Sequence, residues 1–369
     1  MGSGSQCLPR LLAAFTAILL SSTAYATAQR TFVASTGNDA WPCSVTQPCR
    51  QFAAAVAQTN AGGEVIVLDS AGYGAVSLTP SITITAPPGV YGGISVFSGD
   101  GISVNGTDVV VTLRGLTIVG LGGTYGIHFV SGAVLHIEHC EISGFFGLGH
   151  SGIQLDAPGA RIDVIDTVVR DNQNGIVVGA QDNAHTVTVT VSRARLSNNF
   201  SEGVLLLGST QFLIEDSVVA GSQYNIDAFN QLTLATVSLA IIRTSIHHGN
   251  YGIYLEPNAS GVTSASVVDS TITDQSVMGI AVIPLCASCY ASAAVTRTQV
   301  NYNSVGIMCD GANASLVSAA SVLIDAVTVI NNNSFQVKAQ NHGTIVTRQN
   351  NTASTIDTIS GQLVNFPAD

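Results

Sequence analysis

The run HIEHCE, His136 to Glu141, sets two histidines, two glutamates and a cysteine side by side in a chain where 9% of residues are charged. Arg114 lies upstream in VTLRG, and Asp163 downstream in RIDVID. Carboxylates beside histidine and arginine are the groups of acid–base chemistry, in which one carboxyl gives a proton while another, ionised, activates water or attacks. On a sugar, that chemistry needs two carboxyl groups roughly 5 to 9.5 Å apart. Glu138 and Asp163 are the candidate pair. Arg114 would keep Glu138 ionised as base or nucleophile, and His136 would accompany Asp163 as the acid. Whether the four meet depends on the elements that carry them.

A short phrase returns along the chain: GIHF at Gly126, GIQL at Gly152, GIVV at Gly175, GVLL at Gly203, NIDA at Asn225, GIYL at Gly252, GIAV at Gly279, GIMC at Gly306 and SFQV at Ser334. Its period is about 26 residues, which marks a solenoid. Inside each unit, RIDVID and TVTVTVS alternate apolar with polar residues, the two-residue period of a strand with one buried face. Gly, Asn and Asp stand between the strands and make turns. Three short strands per unit give an all-β parallel β-helix of about eleven coils, some 50 Å long at about 4.8 Å per coil. The DN, NN and NYN positions predict a ladder of stacked asparagines at one turn. Residues 63–351 form the solenoid on this reading. Residues 29–62 form an N-terminal cap with a helix in PCRQFAAAVAQTNAGG stopped by Gly62 and Gly63, and 352–369 form a C-terminal cap or tail.

The repeat also sets a register. Aligned on the inner aliphatics Ile142, Val169, Leu196, Val219, Ile246, Ile272 and Val300, the third residue before each reads His139, Asp166, Arg193, Asp216, Arg243, Asp269, Arg297. Alternating signs predict a stabilising line of ion pairs rather than a binding stripe. The same alignment stacks Arg114 on Glu138 and His136 on Asp163, with His150 in FFGLGHSG able to reach over them. A groove walled by the insertions after Ile142 and Val282, with this patch on its floor, would favour catalysis.

Residues 1–28 read as a secretory signal: Arg10, the apolar LLAAFTAILL, then small residues around Ala24 to Ala28. The apolar run is too short to span a bilayer, so a secreted protein, extracellular or periplasmic, is expected. Net charge is −11, and the mature chain has the single lysine Lys338. That balance disfavours nucleic acid and acidic membrane surfaces as partners. Of seven cysteines, Cys7 falls in the leader. Cys43 and Cys49 bracket a short loop and are expected to be bridged. Cys286 and Cys289 form a local pair, or one of them joins Cys309, and Cys140 is a buried thiol.

The opening TFVASTGNDAWPCSVTQPCRQFAAAVA, followed by GGEVIVLDSAGYG and SITITAP, resembles the start of bacterial secreted right-handed parallel β-helix proteins of the pectate-lyase-like superfamily. The resemblance implies a right-handed β-helix and a polysaccharide partner. Lyases of that superfamily hold calcium with clustered acids and face the substrate with Arg or Lys. Here no Asp-rich trio stands out, so no cofactor is expected, and calcium has no support. The NTD, Asp-Asp, GHG and RIK segments of polygalacturonases reduce to GHSG at Gly149, and the DPHD of alginate epimerases is missing. The sequence therefore favours a non-catalytic surface or glycan-contact protein. The alternative is a polysaccharide-degrading hydrolase or lyase working through the Arg114, His136, Glu138 and Asp163 patch.

Overall fold

A computed structural model describes residues 2, 27–179, 184–311, 320–348, 350–359 and 361–366. Nearly all of the expected leader, 1–28, lies outside them. The chain winds into a parallel β-solenoid of about 12 turns, close to the eleven expected. Each turn has three faces. The first is a 14-stranded parallel sheet that begins with Ala28–Val33 and ends with Gln362–Phe366. The second consists of short strands such as Glu141–Ser143 and Val168–Arg170. The third carries the Gly-Ile phrases, for example Ser151–Leu155, Asn174–Val178 and Glu202–Leu206. Ser245–Leu255 and Thr271–Val282 run unbroken from the second face into the third. The strands therefore begin at Ala28, one residue ahead of segment 29–62, run through it and continue into 352–369. The helix of the N-terminal segment is only Phe52–Ala57; Gly62 and Gly63 fall in the next strand, Thr59–Val67, instead of stopping it.

Inward aliphatics of all three faces form one core, with Ile118, Ile142, Val169, Leu196, Val219, Ile246, Ile272 and Val300 all at 0% exposure. Two of the three corners each turn on a residue of left-handed conformation. The residue before the second face has positive φ in successive coils: His139, Asp166, Arg193, Asp216, Arg243, Asp269 and Arg297. These are the alternating charges, and they resolve into couples rather than a continuous line. Arg193 holds Asp166 at 2.8 Å, Arg243 holds Asp216 at 2.7 Å, and Arg297 holds Asp269 at 2.7 Å. The other corner carries the interior amide ladder, where Asn172 Nδ2 donates to Asn199 Oδ1 and Asn303 Nδ2 to Asn332 Oδ1, each at 3.0 Å. Between those pairs, Asn225 bonds to Gln275 at 3.1 Å.

Disulfides join Cys43 to Cys49 and Cys286 to Cys289. The CASC pair is thus local, and Cys140 and Cys309 are buried free thiols. Burial pushes the Cys140 thiol up to about 12, which leaves it unreactive.

Candidate functional site

The predicted patch forms on the outer side of the first face. Glu138 pairs in register with Arg114 and Ile165, and His136 with Thr112 and Asp163. Arg114 Nε donates to Glu138 at 2.7 Å, and His136 Nδ1 lies 3.1 Å from Asp163. A further partner went unrecognised in the sequence. Arg161, two residues before Asp163 and so on the same side of the strand, donates to both of its oxygens at 3.3 and 3.4 Å. Each carboxylate thus has a guanidinium as its partner. His150 does not reach over the patch, because its segment joins the second face to the third and the imidazole packs against Gly147. The insertion after Ile142 sits at that same corner, and the segment after Val282 follows the third face several coils on, so neither walls the patch. A depression of about 410 Å³ does adjoin it, lined by Pro87, Pro88, Val90, Arg114 and His139.

A second concentration of ionisable groups lies on the outer side of the third face. The Gly-Ile phrase bends there so that Gly and Ile both turn inward. A Cβ on Gly252 would meet Gly279 O at 2.4 Å and the Ile272 side chain at 2.8 Å. The residue before Gly and the residue after Ile then point outward. In consecutive coils these outward pairs are Tyr125/His128, Ser151/Gln154, Asn174/Val177, Glu202/Leu205, Tyr224/Asp227 and Tyr251/Tyr254.

His128 bridges two coils' carboxylates, with Nδ1 2.9 Å from Asp100 and Nε2 3.0 Å from Asp156. Burial disfavours its charged form, but the two carboxylates outweigh burial and raise its pKa above the ordinary value. Further along, the rings of Tyr224, Tyr251 and Tyr254 lie nearly parallel. Tyr224 and Tyr251 are 4.8 Å apart, and Tyr251 and Tyr254 are 4.9 Å apart. Around them stand Glu202, Asp227 and Glu256. Asp227 is 4% exposed, and its Oδ1 has no hydrogen-bond partner. Burial, and then the charges of Glu256 and Glu202, push its carboxyl well above the usual carboxylate range. Burial lifts Glu256 to about 7 against the hydrogen bond from Tyr254, and it raises Glu202 as well.

Outward residues on this face are buried because the chain leaving each third-face strand keeps stacking. Glu256 N donates to Ala228 O at 3.2 Å, Asn258 N to Asn230 O at 2.8 Å and Leu285 N to Pro257 O at 2.9 Å. On the other side, a depression of about 440 Å³ runs along the corner, lined by Phe200, Gln223, His248, Asn250, Asp274 and Ser276. Phe200, Gln223 and Asn250 immediately precede Ser201-Glu202, Tyr224 and Tyr251, so the depression opens beside the tyrosines. Among the described residues, no group of three or more His, Cys, Asp or Glu side chains is arranged to hold a metal ion.

No family model matches the sequence, and no curated protein does. Among solved structures, the pectate lyase Pel9A is similar with a TM-score of 0.55 and 14% identity, over 92% of this chain and 80% of that one. A rhamnogalacturonan lyase has a TM-score of 0.41 at 13% identity, over 86% of this chain and 75% of that one. At such identities the likeness to Pel9A is one of architecture: the chain is a parallel β-helix of pectate-lyase-like fold.

Proposed function

We propose that this protein is an extracellular polysaccharide-contact protein that holds a glycan along the outer side of its third face, from Asp100 to Glu256. The observation that carries this reading is the stack of Tyr224, Tyr251 and Tyr254 set among outward carboxyl and amide groups and beside the corner depression. An apolar ring surface with a few placed polar groups is what a sugar, apolar on one side and hydroxylated around its edge, requires. The row of outward positions spans seven coils, about 29 Å, long enough for an extended oligosaccharide. The disulfides fit an oxidising location, and the architecture shared with a pectate lyase supports a polysaccharide as the partner class. Isothermal titration against neutral, cationic and anionic oligosaccharides tests the reading. At least one class binds the parent, and Tyr251→Ala weakens that binding tenfold or more. Binding of no class, or unchanged binding by Tyr251→Ala, overturns it.

A second reading, hydrolysis of the bound glycan, is favoured by the unequal environments of Asp227 and Glu256. Glu256 lies one coil on from Asp227 and two residues further along, a Cα separation of about 8 Å, which keeps the two acids within reach of one bound sugar. Asp227, whose carboxyl burial pushes well above the usual range, would be the acid, and Glu256, lifted to about 7, the base. Loss of turnover in both Asp227→Asn and Glu256→Gln, with reducing ends released only by the parent, supports hydrolysis. Turnover at the parent rate in either variant rules this pair out.

A further inference from the structure

The third face is asymmetric in charge. Of the twelve Lys and Arg residues, the described arginines sit in the N-terminal segment, on the first and second faces and at the corner between those two. Lys338 is the one lysine of the third face, three coils beyond Tyr254 and held over the Phe335 ring. Five carboxyl groups stand on the same face within seven coils: Asp100, Asp156, Glu202, Asp227 and Glu256. His128 serves the first two. Among the described residues, no ion pair includes Glu202, Asp227 or Glu256. Glu202 has the Ser201 hydroxyl at 2.7 Å and Glu256 the Tyr254 hydroxyl, both uncharged.

Asn174, directly in register with Glu202, is 8% exposed, and its Oδ1 has no hydrogen-bond partner. Asp227 Oδ1, one coil beyond Glu202, is in the same condition. Both atoms accept hydrogen bonds, and buried acceptors without donors are costly. Two unfilled acceptors beside carboxyl groups without cations fit a ligand that brings donors and positive charge together.

We propose that the third face takes a polysaccharide of amino sugars with free amines, whose ammonium groups lie against Glu202, Asp227 and Glu256 while the pyranose rings meet the tyrosines. This deepens the proposed glycan contact and rests on it. An ammonium supplies three donors and the positive charge that favours the ionised forms of Asp227 and Glu256. A neutral sugar supplies donors only, and a uronate meets like charge.

The test is titration of the full chain at low salt with three hexasaccharides: glucosamine, N-acetylglucosamine and galacturonate. The free-amine hexamer is expected to bind at least tenfold more tightly than its N-acetylated form, with the advantage lost at high salt and the galacturonate hexamer not bound. In the double variant Asp227→Asn, Glu256→Gln, the free-amine affinity falls to the level of the N-acetylated form. Should that variant fail to fold, salt dependence in the parent still decides. Equal binding of the amine and acetylated hexamers, or a preference unaffected by salt, overturns the amino-sugar assignment and leaves the glycan contact standing. Tightest binding of galacturonate also overturns it, and binding of no hexamer overturns both.

Discussion

Replacing Asp227 with leucine should stabilise the fold while abolishing the contact. Along its outward ladder Asp227 follows Val177 and Leu205 and precedes Tyr254, Ala281 and Met308, so it is the one acid in an apolar row. Its Oδ1 is buried without a partner, a condition that costs about 1–3 kcal/mol. Leucine removes that cost and is close enough in size to avoid severe overpacking. With an unfolding entropy of about 2 cal/mol/K per residue, a chain of this length should gain roughly 1.5–4 °C in Tm. The gain should also depend on pH. Because the folded-state pKa of Asp227 is raised, its carboxyl favours folding most below the ordinary carboxylate value, and that contribution is lost as pH rises toward the folded value. Scanning calorimetry should therefore show parent and variant closest at pH 4 and furthest apart at pH 8. A variant less stable than the parent at pH 8, or a pH-independent difference, would refute the account of Asp227 as an unpartnered buried acid. Stability gained with binding lost would mark it as a residue kept for the ligand.

Three further outcomes follow from the frame that positions the site. Asn303→Ala leaves the buried Gln275 N–H without the acceptor it meets at 3.0 Å, which should cost about 1–3 kcal/mol in a denaturant titration; an unchanged midpoint would show that the amide ladder contributes nothing. Arg243→Glu sets a third acid beside Asp216 and Glu215, with which Arg243 now pairs. It should melt below Arg243→Ala at low salt and level with it near 1 M salt, where the screening length is about 3 Å; coincident melting at both salts would show the couples to be idle. Peptide mapping without reduction should recover Cys43–Cys49 and Cys286–Cys289, with Cys140 and Cys309 alkylated only after denaturation; rapid alkylation in the native state would contradict their burial.

The sequence made the solenoid legible because its signals are local and repeated. A two-residue alternation, turn residues and a fixed period are enough to set the register, and hence the stacking of Arg114 on Glu138 and of His136 on Asp163. The short loop between Pro42 and Pro48 likewise made the Cys43–Cys49 bridge readable. Arg161 is an i, i+2 neighbour of Asp163 in RIDVID, a pairing along one strand that the coil-to-coil register does not bring out. The third-face cluster was hidden for a different reason. Strict alternation assigns the residue before Gly to the inside, whereas the Gly-Ile bend turns Glu202, Tyr224 and Tyr251 outward. The burial that perturbs Asp227 and Glu256 is a property of the packed face and carries no local signal in the sequence. Ionisable residues concentrated in one run draw the eye, but HIEHCE is well supplied with arginines, while NIDA and YLEP hold acids with none.

On the proposed function a glycan lies along the third face and not on the first. Covalent footprinting by mass spectrometry, with the full chain held at saturating free-amine hexasaccharide, tests it most directly. The account predicts that Tyr224, Tyr251 and Tyr254 become protected from modification, as do carboxyl groups on the peptides bearing Glu202 and Glu256, while those of Glu138 and Asp163 react as before. Protection of the Glu138 and Asp163 peptides with the tyrosines unchanged would contradict it.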